Sequence, residues 1–138
     1  MKVLFYLLLI TTMLSCDESS TDVYPSTPTH EETKLTLEEQ EKADPSEFVT
    51  ATGGYRKNLI GEWVLIGKIN NKATVATYKD AVLKITYYSK TKTALGSEEK
   101  TISEFFKPNS SQDFKIKTAG VDGTAFIDFG VISASNVE

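Results

Sequence analysis

The chain has 138 residues, 15 Lys and Arg against 19 Asp and Glu for a formal charge of −4, 40% hydrophobic side chains, one cysteine and one histidine. That length suits one ordinary domain with a short extension. A lone cysteine excludes an intrachain disulfide, and a lone histidine, His30, excludes a multi-histidine zinc centre.

Met1 to Cys16 reads MKVLFYLLLITTMLSC, with Lys2 as a short positive region and Val3 to Leu14 as an apolar run broken by Thr11 and Thr12. A membrane-spanning helix needs about 20 apolar residues, whereas here the chain turns polar at once in Cys16-Asp17-Glu18-Ser19-Ser20. Met13-Leu14-Ser15-Cys16 resembles the bacterial lipobox, in which the cysteine takes a diacylglycerol thioether and becomes the new N-terminus. The resemblance implies a signal peptide over 1–15, with Cys16 as the lipidation site carrying palmitate-type acyl chains. Each buried CH₂ of such a chain contributes about 0.8 kcal/mol, so two or three chains hold a domain on a bilayer without a spanning helix. With Cys16 consumed, the mature chain has no thiol for catalysis or metal binding, and its fold rests on burial alone.

Residues 16–47 read as an acidic tether. Between Asp17 and Glu47, ten acids oppose only Lys34 and Lys42, and Pro25, Pro28 and Pro45 alternate with Ser and Thr. This composition buries too little to offset its ordering entropy, so a disordered leader is expected. Thr36-Leu37-Glu38-Glu39 is a capping-box pattern that opens a short helix ending before Pro45. The acids just after Cys16 also resemble the surface-export signal of Bacteroidota lipoproteins, which implies an outer-membrane protein exposed on the cell surface.

From Phe48 to Glu138 the balance reverses, with 12 Lys and Arg against 9 Asp and Glu. Apolar residues now recur with period two, the pattern of strands. Leu59 to Ile69 places Trp63, Leu65 and Ile69 on one face, and Ala81 to Tyr88 places Leu83, Ile85 and Tyr87 opposite Lys84 and Thr86. Further strands are expected at Phe48 to Thr52, Ala94 to Ile102, Phe114 to Thr118 and Ala125 to Ser133. Turns are expected at Gly53-Gly54, Asn70-Asn71-Lys72, Lys90 to Lys92, Pro108-Asn109-Ser110 and Asp122-Gly123. Short strands at this spacing predict an all-β, antiparallel sandwich over 48–138.

Gly67-Lys68-Ile69-Asn70-Asn71, Tyr78, Leu83 to Ser89, Leu95-Gly96, Pro108 to Ser111 and Phe114-Lys115-Ile116 resemble the FxLYD-type family of small immunoglobulin-like domains on bacterial envelope proteins. The resemblance covers about half of the chain. It implies an immunoglobulin-like β-sandwich of about seven strands, no enzymatic activity, and a role in extracytoplasmic contacts or as a spacer.

The residues point the same way. His30 falls in the leader, so the body has no histidine or cysteine for a Ser-His-Asp relay or a Cys-His pair. Its acids sit beside turns or alternate with lysines, which reads as a solvated surface; Asp128, inside Phe126-Ile127-Asp128-Phe129, is expected to face outward from an edge strand. Lysines are scattered singly, against nucleic acid as a partner. Trp63 reads as core. Tyr88 shares the outer face with Lys84, and Phe105-Phe106 cannot bury both rings in a strand; Tyr88, Phe105 and Phe106 are therefore the candidate binding surface. The expectation is a lipid-anchored, non-enzymatic interaction module of the cell envelope. It needs no cofactor or metal, and its partner is another envelope protein or a glycan. The alternative is a surface carbohydrate-binding accessory protein.

Overall fold

Alternation of β-branched and aromatic residues with polar ones makes each strand apolar on one side only, so two sheets must share their apolar faces. A computed structural model describes residues 35–138 in this arrangement. The expected signal peptide, Cys16, His30 and the first part of the tether lie outside the described residues. In chain order come α1 (Leu37–Ala43), α2 (Pro45–Phe48), β1 (Val49–Lys57), β2 (Trp63–Asn71), β3 (Tyr78–Tyr88), β4 (Ala94–Phe106), β5 (Ser110–Thr118) and β6 (Phe126–Asn136).

The strands form two three-stranded antiparallel sheets, ordered β1-β2-β5 and β4-β3-β6. The class is all-β as expected, but six strands are described, not seven. β1 packs beside β6 and β5 beside β4, so the unpaired edges of the two sheets adjoin. Trp63, Leu65 and Ile69 from β2 meet Leu83, Ile85 and Tyr87 from β3 in the core, joined by Tyr78, Phe106, Phe114 and Ile127. Phe114 of β5 and Phe129 of β6 meet edge to face between the sheets, with centroids 5.9 Å apart at 84°.

Strand register defines two ends. Lys57, Trp63 and Thr118 finish or start their strands at one end of the first sheet, and Tyr88, Ala94 and Phe126 do so in the second. This is the loop end, carrying the connections 58–62, 89–93 and 119–125. Val49, Asn71 and Ser110, with Tyr78, Phe106 and Asn136, mark the opposite end, next to the helices.

Several boundaries differ from the sequence reading. Gly53 and Gly54 are not a turn but the middle of β1, where Gly53 faces Gly67 of β2. A Cβ on Gly67 would stand 2.2 Å from the Thr52 carbonyl oxygen and 2.9 Å from Phe114 Cε1, so the glycines permit a close backbone approach. Leu59 and Ile60 are not strand but the tip of the β1–β2 hairpin. Asn70 and Asn71 belong to β2 itself. β3 starts earlier, at Tyr78, because a bulge at Asp80 (φ 52°) lets the ladder shift register without ending.

The tether boundary also moves. Thr36 caps α1 as the capping-box pattern predicts, its backbone N–H donating to Glu39 Oε2 at 2.8 Å while its hydroxyl accepts the Glu39 N–H at 3.3 Å. The helix is no part of a free leader, however, since it belongs to the same compact unit as the strands. Glu41, only 2% exposed, takes hydrogen bonds from the backbone N–H groups of Thr74, Val75 and Ala76 at 2.7, 2.9 and 2.8 Å and from the Thr74 hydroxyl at 2.8 Å. Tyr78 donates its hydroxyl to the Glu41 carbonyl at 2.7 Å, and Asn136 Nδ2 donates to the Lys42 carbonyl at 2.9 Å. A seven-residue helix is too short to persist alone; a carboxylate that completes three backbone donors of the β2–β3 connection fixes this one in place. Burial alone would push the Glu41 carboxyl up, but these donors outweigh it and hold the group down at about 2.

Candidate functional site

Two polar clasps hold the sheets together, one at each end. At the helix end Asn71, 2% exposed, donates from Nδ2 to the Ala76 and Phe106 carbonyls at 3.0 and 2.9 Å and accepts the Ala73 N–H at 2.9 Å. At the loop end Glu98 Oε1 accepts the hydroxyls of Tyr87 and Thr118, Tyr87 and Thr118 stand 2.8 Å apart, and Lys100 Nζ lies 3.2 Å from Glu98 Oε2. Burial opposes ionisation of Glu98, yet the Thr118, Tyr87 and Lys100 donors bring its carboxyl below the usual value. Burial and the neighbouring Glu98 push the Tyr87 phenol up to about 12. A carboxylate so saturated with donors is a poor general base, and a phenol that holds its proton is a poor acid. The cluster ties β3 and β4 to β5 and leaves the loop end braced.

Around that brace, apolar side chains remain in water. Leu59 is wholly exposed and Ile60 is 78% exposed at the hairpin tip, and Leu95, Val121 and Phe126 are each more than a third exposed. The 119–125 connection folds back over the start of β4: a Cβ on Gly96 would lie 3.3 Å from Val121 Cγ2 and one on Gly123 would lie 3.8 Å from Leu95 Cδ1. Tyr88 sits directly across the ladder from Phe126. These two, with Lys92, Ile127 and Asp128, line a shallow cleft of about 210 Å³. Two rings, an ammonium and a carboxylate thus border one hollow, a mixture suited to stacking on an apolar face while hydrogen-bonding at its rim.

The candidate surface named from sequence is divided by this geometry. Tyr88 is half-buried and lies in the cleft. Phe105 is 62% exposed but stands at the helix end, away from Tyr88. Phe106 is 1% exposed and packs in the core, so it leaves the set of surface candidates. Adjacent residues of a strand point to opposite sides, and the core claims the second ring of the pair. Asp128 faces solvent from β6, an edge strand. Trp63 is core; Tyr55 meets its ring edge-on at 5.6 Å, and Lys57 Nζ rests 4.8 Å from the ring centroid.

Phe126 and the pair Leu59-Ile60 were not singled out from sequence. Phe126 follows the Asp122-Gly123 turn, and a strand-opening aromatic beside a turn is a signal that was available. Asn58 and Gly61 bracket Leu59-Ile60 with turn chemistry, obscured by the alternation that runs on into Trp63. Among the described residues no three His, Cys, Asp or Glu side chains are grouped to hold a metal ion, and no helix is long and apolar enough to cross a membrane. No protein-family model, curated protein or solved structure matches this chain.

Proposed function

We propose that the chain is a lipid-anchored protein of the bacterial cell envelope, attached to the outer membrane through acylated Cys16, whose β-domain works by non-covalent contact and not by catalysis. We read the domain as an immunoglobulin-like sandwich of the FxLYD type, a reading that the two facing antiparallel sheets support. The observation that carries the binding role is the exposure of Leu95, Val121 and Phe126, with half-buried Tyr88, at one braced end. Exposed apolar groups on a rigid support are the usual form of a docking surface. The partner is another envelope protein, met at the cell surface.

A second reading, a carbohydrate-binding accessory role, is favoured by one observation, the cleft in which Tyr88 and Phe126 border Lys92 and Asp128. One experiment separates the two. A photo-crosslinker at position 126, activated in intact envelopes, gives a discrete protein adduct under the first reading. Under the second it gives none, and a glycan array shows binding that Tyr88→Ala abolishes. Neither adduct nor glycan binding removes the loop end as a binding site. The anchor is tested separately: Cys16→Ala moves the protein from the membrane to the soluble fraction, and persistence in the membrane contradicts acylation.

A further inference from the structure

We propose that the tip of the β1–β2 hairpin, Leu59 and Ile60, inserts into the interface of an anionic phospholipid bilayer. The inference stands apart from acylation at Cys16, because it rests only on the built geometry of the tip.

Leu59 is wholly exposed and Ile60 nearly so, which leaves two adjacent aliphatic side chains at the extremity of the loop end. Most of the backbone N–H groups beneath them are already satisfied. Asn58 Oδ1 accepts the N–H groups of Ile60 and Glu62 at 3.1 and 2.9 Å, and the Asn58 carbonyl accepts the Gly61 N–H at 3.1 Å. Asn58 Nδ2 in turn donates to Glu62 Oε2 at 2.8 Å, and the Asn58 N–H donates to the Glu62 carbonyl at 2.9 Å. Gly61 adopts φ +86°, which closes the loop without strain. Four of the five N–H groups from Asn58 to Glu62 are thus met internally, so the tip strands few donors on leaving water, a cost that hydrocarbon imposes on any unpaired backbone group.

Charge selects the kind of surface. Arg56 and Lys57 flank the tip directly, Lys90 and Lys92 lie in another connection of the same end, and Lys117 is next to the end of β5. The acids at this end are Glu62, engaged by Asn58, Glu98, paired with Lys100, Asp128, which shares a cleft with Lys92, and Asp122, so the cations directly beside the tip, Arg56 and Lys57, decide the preference. Cations around an aliphatic wedge complement anionic headgroups around an acyl core. The Lys57–Trp63 contact and the Tyr55–Trp63 edge contact stiffen the stem, so little ordering is left to be done on insertion.

The test reads depth. The full chain carrying Cys16→Ser and Ile60→Cys is labelled with an environment-sensitive fluorophore. It is then mixed with vesicles of phosphatidylcholine, alone or with phosphatidylglycerol, that contain nitroxide-labelled acyl chains. The same label introduced through Phe105→Cys, at the other end of the domain, is the comparator. The proposal expects a blue shift and strong quenching at position 60 but not at 105, increased by phosphatidylglycerol, with the increase lost in Arg56→Ser/Lys57→Ser. In unlabelled protein, Leu59→Ser/Ile60→Ser lowers the share of vesicle affinity that depends on phosphatidylglycerol by about tenfold or more. Quenching at 60 no greater than at 105 overturns the proposal. So does a tip that remains in water on vesicle-bound protein, which marks these residues as a knob for a protein pocket instead. Comparing circular dichroism of the variants shows whether each is folded, so a loss of quenching is read only from intact domains.

Discussion

Replacing Asn71 by alanine removes the clasp at the helix end and measures what it contributes. The side chain makes three hydrogen bonds, two as donor to the Ala76 and Phe106 carbonyls and one as acceptor from the Ala73 N–H, in a site 2% exposed. At about 1 kcal/mol net for each bond the loss is about 3 kcal/mol, and stranding the partners in a buried site raises it toward about 5 kcal/mol. For the 104 residues from 35 to 138, an unfolding entropy of about 2 cal/mol/K per residue converts this to a drop in Tm of about 14 to 24 °C. Urea unfolding should show a lower midpoint with an unchanged m-value, since the surface exposed on unfolding is the same. Asn71→Asp is the informative companion. It keeps an oxygen for the Ala73 N–H but turns another toward two carbonyl oxygens, so it is at least as destabilising despite its shape. A change below about 1 kcal/mol for Asn71→Ala would refute the assignment of this residue as the tie between the sheets.

Three further outcomes follow from the same contacts. The folded-state carboxyl of Glu41 is depressed to about 2 from 4.5, so its contribution to stability is fully present above pH 4.5 and is lost as the pH falls toward about 2. Urea midpoints measured across that window should fall more steeply in the wild type than in Glu41→Gln, and parallel profiles would contradict the role of the carboxylate. Extending an N-terminal truncation from Glu32 to Pro45 should lower Tm sharply, because it removes Glu41 and the Lys42 carbonyl from their partners on Thr74, Val75, Ala76 and Asn136; an unchanged Tm would show that α1 does not support the sandwich. Absorbance titration should reveal two tyrosines ionising late, near pH 12, since burial raises both Tyr78 and Tyr87 to about 12; Tyr78→Phe and Tyr87→Phe should each delete one late step, and titration of both with the exposed tyrosines would contradict their burial.

The strand core was legible because burial on one face writes period two directly into the chain, as Trp63-Leu65-Ile69 and Leu83-Ile85-Tyr87 show. The capping box at Thr36 was legible because both of its partners are local. What escaped was set by distant neighbours. Gly53-Gly54 carries the composition of a turn, and only the facing Gly67 of β2 makes it strand. Glu41 is one acid among many in an acidic stretch, and its burial depends on three N–H groups of a connection more than thirty residues on. Asn71 has the chemistry of a turn, which it does supply to Ala73, while also reaching Phe106 on the second sheet. At the loop end, Tyr88 was legible from its face, but its partner Phe126 depended on the pairing of β3 with β6.

The most direct measurement of the central claim is hydrogen exchange of the protein on native envelope membranes against the same protein in detergent. The account predicts that membranes slow exchange in 58–61, 89–93 and 119–126 and leave α1 and the 72–77 connection unchanged. Protection confined to the helix end, or none at all, would contradict it.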